Sequence, residues 1–119
     1  MNIKDITGSF NIIGNNQDAS GNNYKGTLTL KLDLNNRIQA TWLISNSQEQ
    51  IGSGFFKENI LVINFSYQGE DNEPYYGVVV YKCLSPDILE GFWSEEFGDP
   101  KFLGEEKCFR IKDENQLLN

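Results

Sequence analysis

The chain of 119 residues carries 10 Lys and Arg against 17 Asp and Glu, a net charge of −7, with 39% hydrophobic residues and no histidine. That length fits a single domain, 1–119, able to bury a core without metal or disulfide staples. The acidic balance argues against nucleic acid and anionic membrane surfaces, no apolar run reaches the ~18 residues of a membrane span, and the lack of histidine removes His-paired nucleophiles, haem ligation and the commonest zinc ligand.

The opening segment, MNIKDITGSF, has no apolar signal core and no small-residue cleavage site, so a cytoplasmic location is expected. From there apolar residues alternate at period two between short polar clusters, which predicts strands rather than helices. Eight are expected, over 7–13, 25–33, 37–44, 50–56, 60–67, 75–83, 88–95 and 102–111, with 112–119 as a loose tail. In the second, Gly26, Leu28, Leu30 and Leu32 share a face opposite lysines and threonines; in the third, Ile38, Ala40, Trp42 and Ile44 do the same. The pattern returns in the sixth and seventh, with Gly77, Val79, Tyr81 and Cys83 and then Leu89, Gly91, Trp93 and Glu95. Small residues at matched positions relieve the crowding of a sheet that coils shut, and closure removes the unpaired edges. The two indoles then belong on opposite inner walls.

The connections alternate in length. LNN, KEN and SPD are tight-turn sequences, with Asn35 and Asn36 suited to positive φ and Pro86 presetting a turn. GNNQDASGNN, SNSQEQ, YQGEDNEP and EFGDP are longer. The fold class is therefore all-β, an eight-stranded antiparallel up-and-down barrel with tight turns at one end and four longer loops at the other. GSG at 52–54 predicts a bend or bulge in the fourth strand. The fifth strand is apolar on both faces, which leaves a strip for a dimer contact or for cover by the N-terminal segment; monomer and homodimer both stay open. In the eighth, neither face is cleanly apolar, so a bulge or a buried polar pair such as Glu106 with Arg110 is expected.

GSF, Gly8 to Phe10, together with Arg110 in the last strand, resembles the pattern of the calycin-type barrels, the lipocalin and avidin proteins. The resemblance implies that Arg110 covers the Phe10 ring, and that the barrel binds a small, mostly apolar molecule. Such a ligand would enter between the longer loops, with Trp42, Trp93 and Tyr81 lining the interior and Tyr67 and Tyr76 at the rim. By alternation from Trp93, Glu95 points inward at the mouth, where a carboxylate needs a donor and can anchor a ligand or exchange a proton. A cationic group suits carboxylates beside aromatic faces. The alternative is a filled barrel that docks a basic protein through its acidic loops, with Glu70, Asp71 and Glu73 in the contact. No cofactor or metal is expected, because GEDNE lacks the calcium-loop pattern and no zinc spacing exists. Cys83 and Cys108 are expected as reduced core thiols. No catalytic motif is present, so an enzyme is not expected.

Overall fold

Eight strands form where the alternation predicts them, and they pair in chain order into one closed antiparallel barrel. The structure is a computed structural model that describes residues 1–112; the expected tail, beyond Lys112, lies outside the described residues. The strands are β1 (Gly8–Asn15), β2 (Asn23–Leu32), β3 (Ile38–Ile44), β4 (Gln48–Lys57), β5 (Ile60–Gln68), β6 (Pro74–Ser85), β7 (Ile88–Glu95) and β8 (Gly104–Arg110). Closure comes from β1, which pairs with β2 on one side and with β8 on the other, Phe10 opposite Arg110 and Ile12 opposite Cys108. The inward sets predicted from the period are inside: Leu28 and Leu30, Ile38, Ala40 and Trp42, Val79, Tyr81 and Cys83 are all buried, and in β5, where both faces looked apolar, Leu61, Ile63 and Phe65 are the buried ones. Both cysteines are buried and free, and burial pushes the Cys83 thiol up to about 11.

The end with the tight turns is sealed. A 3-10 turn, Ile3–Ile6, precedes β1 and places Ile6 in the core with no exposure. Its start is held by a reciprocal cap: the Asn2 side chain accepts from Lys4 N at 2.9 Å, and the Asp5 carboxylate accepts from Asn2 N at 2.8 Å. Arg110 clamps this turn to the barrel. Its guanidinium carbon lies 4.7 Å from the Phe10 ring centroid, the contact that the resemblance implied. Its nitrogens donate to Thr7 O at 2.7 Å, Asp5 O at 2.8 Å and Pro86 O at 2.7 Å, and to the Asp87 carboxylate at 3.1 Å.

Four local expectations are corrected. SNSQEQ is not a long loop: β4 begins at Gln48, and Ser45 and Asn46, both at positive φ (53° and 60°), make a tight turn. Of Asn35 and Asn36, only Asn36 takes positive φ (61°), because the Asp33 carboxylate holds that turn by accepting from Asn35 N and Arg37 N. β4 has no bulge, since its pairing with β5 runs unbroken from Ile51 opposite Ser66 to Lys57 opposite Ile60. The glycines serve close approach instead. A Cβ on Gly54 would lie 1.8 Å from Val62 O, a rigid backbone atom. Gly54→Ala is accordingly expected to lower stability by about 1–3 kcal/mol, read from the urea midpoint at unchanged m. Finally, β8 begins at Gly104, carries no bulge, and its buried glutamate does not pair with Arg110.

The outer face of β5 is not covered by the N-terminal segment, which goes to the sealed end. Phe55, Val62, Val80 and Phe92 pair directly across β4 to β7, with Phe55 60% and Phe92 48% exposed.

Candidate functional site

The other end of the barrel holds a chamber of about 400 Å³ that opens between the loops. Its walls follow from the inward positions of seven strands, β2 to β8. Trp42 on β3 and Trp93 on β7 stand four strands apart in a ring of eight, hence on opposite walls. Phe65, on β5 midway between them, meets both edge-on, with centroids 6.0 Å from Trp42 and 6.2 Å from Trp93. Tyr67 lies nearly parallel to Phe65 at 6.5 Å, and Tyr75 stacks on Tyr67 at 5.4 Å. The small residues make room for this: a Cβ on Gly104 would lie 2.0 Å from the Trp93 indole, and one on Gly77 would lie 2.4 Å from the Phe65 ring.

Both indoles hydrogen-bond toward one carboxylate. Trp93 Nε1 donates to Tyr24 Oη at 3.0 Å, and Tyr24 Oη donates to Glu106 Oε1 at 2.8 Å. From the other wall, Trp42 Nε1 donates to Tyr81 Oη at 3.2 Å and to Glu106 Oε2 at 3.3 Å, and Tyr81 Oη donates to Glu106 Oε2. Glu106, on β8, is 4% exposed and is the buried charged residue of the core. Burial raises its carboxyl above the ordinary value, against the pull of the three donors Tyr81, Tyr24 and Trp42. Burial, and then the charge of Glu106, pushes the Tyr24 and Tyr81 hydroxyls up as well. Every buried side-chain nitrogen or oxygen among the described residues has a partner, so this polar knot is complete in itself.

Glu95 ends β7 pointing inward, as alternation predicted, and lines the chamber near its mouth. Tyr67 Oη donates to Glu95 Oε2; burial, and then that bond, raises the Tyr67 hydroxyl. Gln17, from the β1–β2 loop, fastens the neighbouring backbone: its Oε1 accepts from Glu95 N at 2.9 Å and its Nε2 donates to Ser94 Oγ at 2.9 Å.

Of the residues expected in the site, Trp42, Trp93, Tyr81, Tyr67 and Glu95 line the chamber together. Tyr76 does not join them. Its neighbour Gly77 takes the inward position, so Tyr76 faces outward and is 54% exposed. Glu70, Asp71 and Glu73 are exposed in the β5–β6 loop. The Asp71 carboxylate is engaged in its own turn, accepting from Tyr75 Oη at 2.7 Å and Glu73 N at 3.0 Å, which holds it below its ordinary value. Glu106 and Tyr24 were missed as site residues. The signal in β8 was the alternation of Glu106 with Cys108, but neither face of that strand is cleanly apolar and nothing local named its partners.

No protein-family model matches the sequence, and no curated protein matches it. The fold is similar to solved barrels. A redesigned β-barrel, mFAP1, bound to DFHBI, superposes with a TM-score of 0.70 at 16% identity, over 91% of this chain and 97% of that one. EF1p2_mFAP2b bound to DFHBI gives 0.67 at 14% identity, over 91% and 95%. The redesigned barrel b11L5F_LGL gives 0.68 at 14% identity, over 92% and 95%. The likeness is one of fold: a closed eight-stranded antiparallel barrel.

Proposed function

We propose that the chain is a non-enzymatic, calycin-like binding protein that takes a small, mostly apolar molecule into the chamber. The observation that carries this reading is the chamber itself. An eight-stranded barrel is only just wide enough to be filled by its own side chains, and this one leaves about 400 Å³ between aromatic walls. That volume falls among small-molecule sites, which run from about 300 to 1,000 Å³. A few placed polar groups give such a site its orientation, and here Glu106 lies at depth while Glu95 lies at the mouth. That barrels of this fold bind a small molecule, DFHBI, is consistent with the reading. The alternative, a filled barrel docking a basic protein through Glu70, Asp71 and Glu73, fits less well. The interior is not filled, and Asp71 is spent on its own turn.

The test uses the indole N–H signals of Trp42 and Trp93 in ¹⁵N-labelled protein. Both should shift saturably with a neutral aromatic probe, 2-phenylethanol, at millimolar concentration. Ile44→Phe, which adds bulk at the chamber edge, should weaken that binding about tenfold with the melting temperature nearly unchanged. No saturable shift of either indole in the wild type, with this probe or with a charged analogue of it, overturns the reading.

A further inference from the structure

We infer that the chamber's ligand is an organic cation: an ammonium or amidinium group seated against Glu95, on an aromatic or apolar body that extends inward between Trp42, Phe65 and Trp93. This rests on the reading that the chamber binds a small molecule, and it names the class.

Three observations point the same way. The first is the charge of the lining. Among the described residues, Glu95 and Glu106 face the chamber, and no lysine or arginine does. A carboxylate or phosphate ligand would enter with no counter-charge and meet two acids. The adjoining groove at the mouth shares Trp93 and Glu95 with the chamber, adds Asp18, Asp71, Glu73 and Glu96, and again has no basic residue among the described ones.

The second is where the protein's own cations are spent. The ion pairs among the described residues are Arg37 with Asp33, Arg110 with Asp87 and Lys112 with Asp87. All lie at the sealed end, beside the β2–β3 and β6–β7 turns. Among the described residues, the carboxylates at the mouth are in none of these pairs. Glu95 accepts from Tyr67 through Oε2, which leaves Oε1 for an incoming N–H. A half-buried carboxylate holding one donor and facing a cavity gains most from a cation that brings the second.

The third is the wall. Phe65 meets Trp42 and Trp93 edge-on and lies parallel to Tyr67, so aromatic rings at crossed angles line the chamber together with Glu95. A cation held over a ring face is attracted by the ring's quadrupole, the more strongly as water is excluded. An anion is repelled by the same faces.

Three probes with one ring and nearly one length separate the possibilities: 2-phenylethylamine, 2-phenylethanol and 3-phenylpropionate, titrated against the Trp42 and Trp93 indole signals at physiological ionic strength. The amine should bind at least about tenfold more tightly than the alcohol, and the carboxylate should give no saturable shift. Glu95→Gln, which can still accept from Tyr67, should bring the amine to the alcohol's affinity and leave the alcohol's affinity where it was. Glu70→Gln, exposed and lining neither chamber nor groove, should change neither. Equal binding of amine and alcohol, or tighter binding of the carboxylate, overturns the cationic class while the chamber reading stands. If none of the probes moves either indole, both inferences fall.

Discussion

Glu106→Leu is expected to lower stability by about 2–5 kcal/mol, because it strands two donors rather than one. Tyr81 Oη and Tyr24 Oη both give their hydrogens to this carboxylate, and each unsatisfied buried donor costs about 1–3 kcal/mol. Trp42 is less affected, since its N–H retains Tyr81 Oη as acceptor. Glu106→Gln keeps the shape and one acceptor, so it separates the charge from the hydrogen bonds. Burial lifts the Glu106 carboxyl above 4.5, so the folded chain holds that proton more tightly than the unfolded chain does. The resulting stabilisation is full below the ordinary value and is lost as pH rises through the raised folded value. Wild-type stability should therefore decline with rising pH across that window. Glu106→Gln, with no proton to lose, should lack that part of the slope and gain on the wild type toward alkaline pH. Urea unfolding at a series of pH values reads both effects. A constant difference between wild type and Glu106→Gln at every pH would show that the buried acid does not titrate as inferred.

Arg110→Ala is expected to cost about 2–4 kcal/mol. Charged hydrogen bonds count for about 1.5–3 kcal/mol each when buried, but this side chain is 20% exposed and its partner Asp87 is 43% exposed, so the ion pair itself is discounted for solvent screening. What remains is the fork. One guanidinium joins the carbonyls of Asp5, Thr7 and Pro86 and lies over Phe10, which ties the 3-10 turn and the β6–β7 turn to the seam between β1 and β8. A lysine carries the charge without the planar fork, so Arg110→Lys should recover less than half of the loss. Hydrogen exchange should speed first at the β1 and β8 amides. The chamber lies at the opposite end, so probe affinity of the folded protein should stay within about twofold. If Arg110→Ala weakens probe binding by more than its unfolded fraction accounts for, the two ends are coupled.

Much of the barrel was legible locally. A period-two pattern marks the strands and, in β2, β3, β6 and β7, the inward face from a window of a few residues, so Leu28, Leu30, Ala40, Trp42, Val79 and Trp93 could all be placed on the inside before any pairing was known. Errors fell where local chemistry admits two outcomes. Ser45, Asn46 and Ser47 can belong to a longer loop or form a three-residue turn, and a strand glycine can mark a bulge or a close approach. At Gly52 and Gly54 the neighbouring backbone of β5 decided for close approach.

The site divides in the same way. The sequence by itself determined which residues of β2, β3, β6 and β7 point inward, that Glu95 ends its strand at the mouth, and that the mouth is acidic. It could not say what an inward side chain meets. Glu106, Tyr81, Tyr24 and the two tryptophans come from β8, β6, β2, β3 and β7, up to 82 residues apart in the Tyr24–Glu106 bond, and no local period links them. Only closure of the ring brings those positions to one level. A strand's facing is set by its own alternation, whereas its partners across the interior are set by the stagger of all eight strands together, and that stagger also left the space between the indoles open.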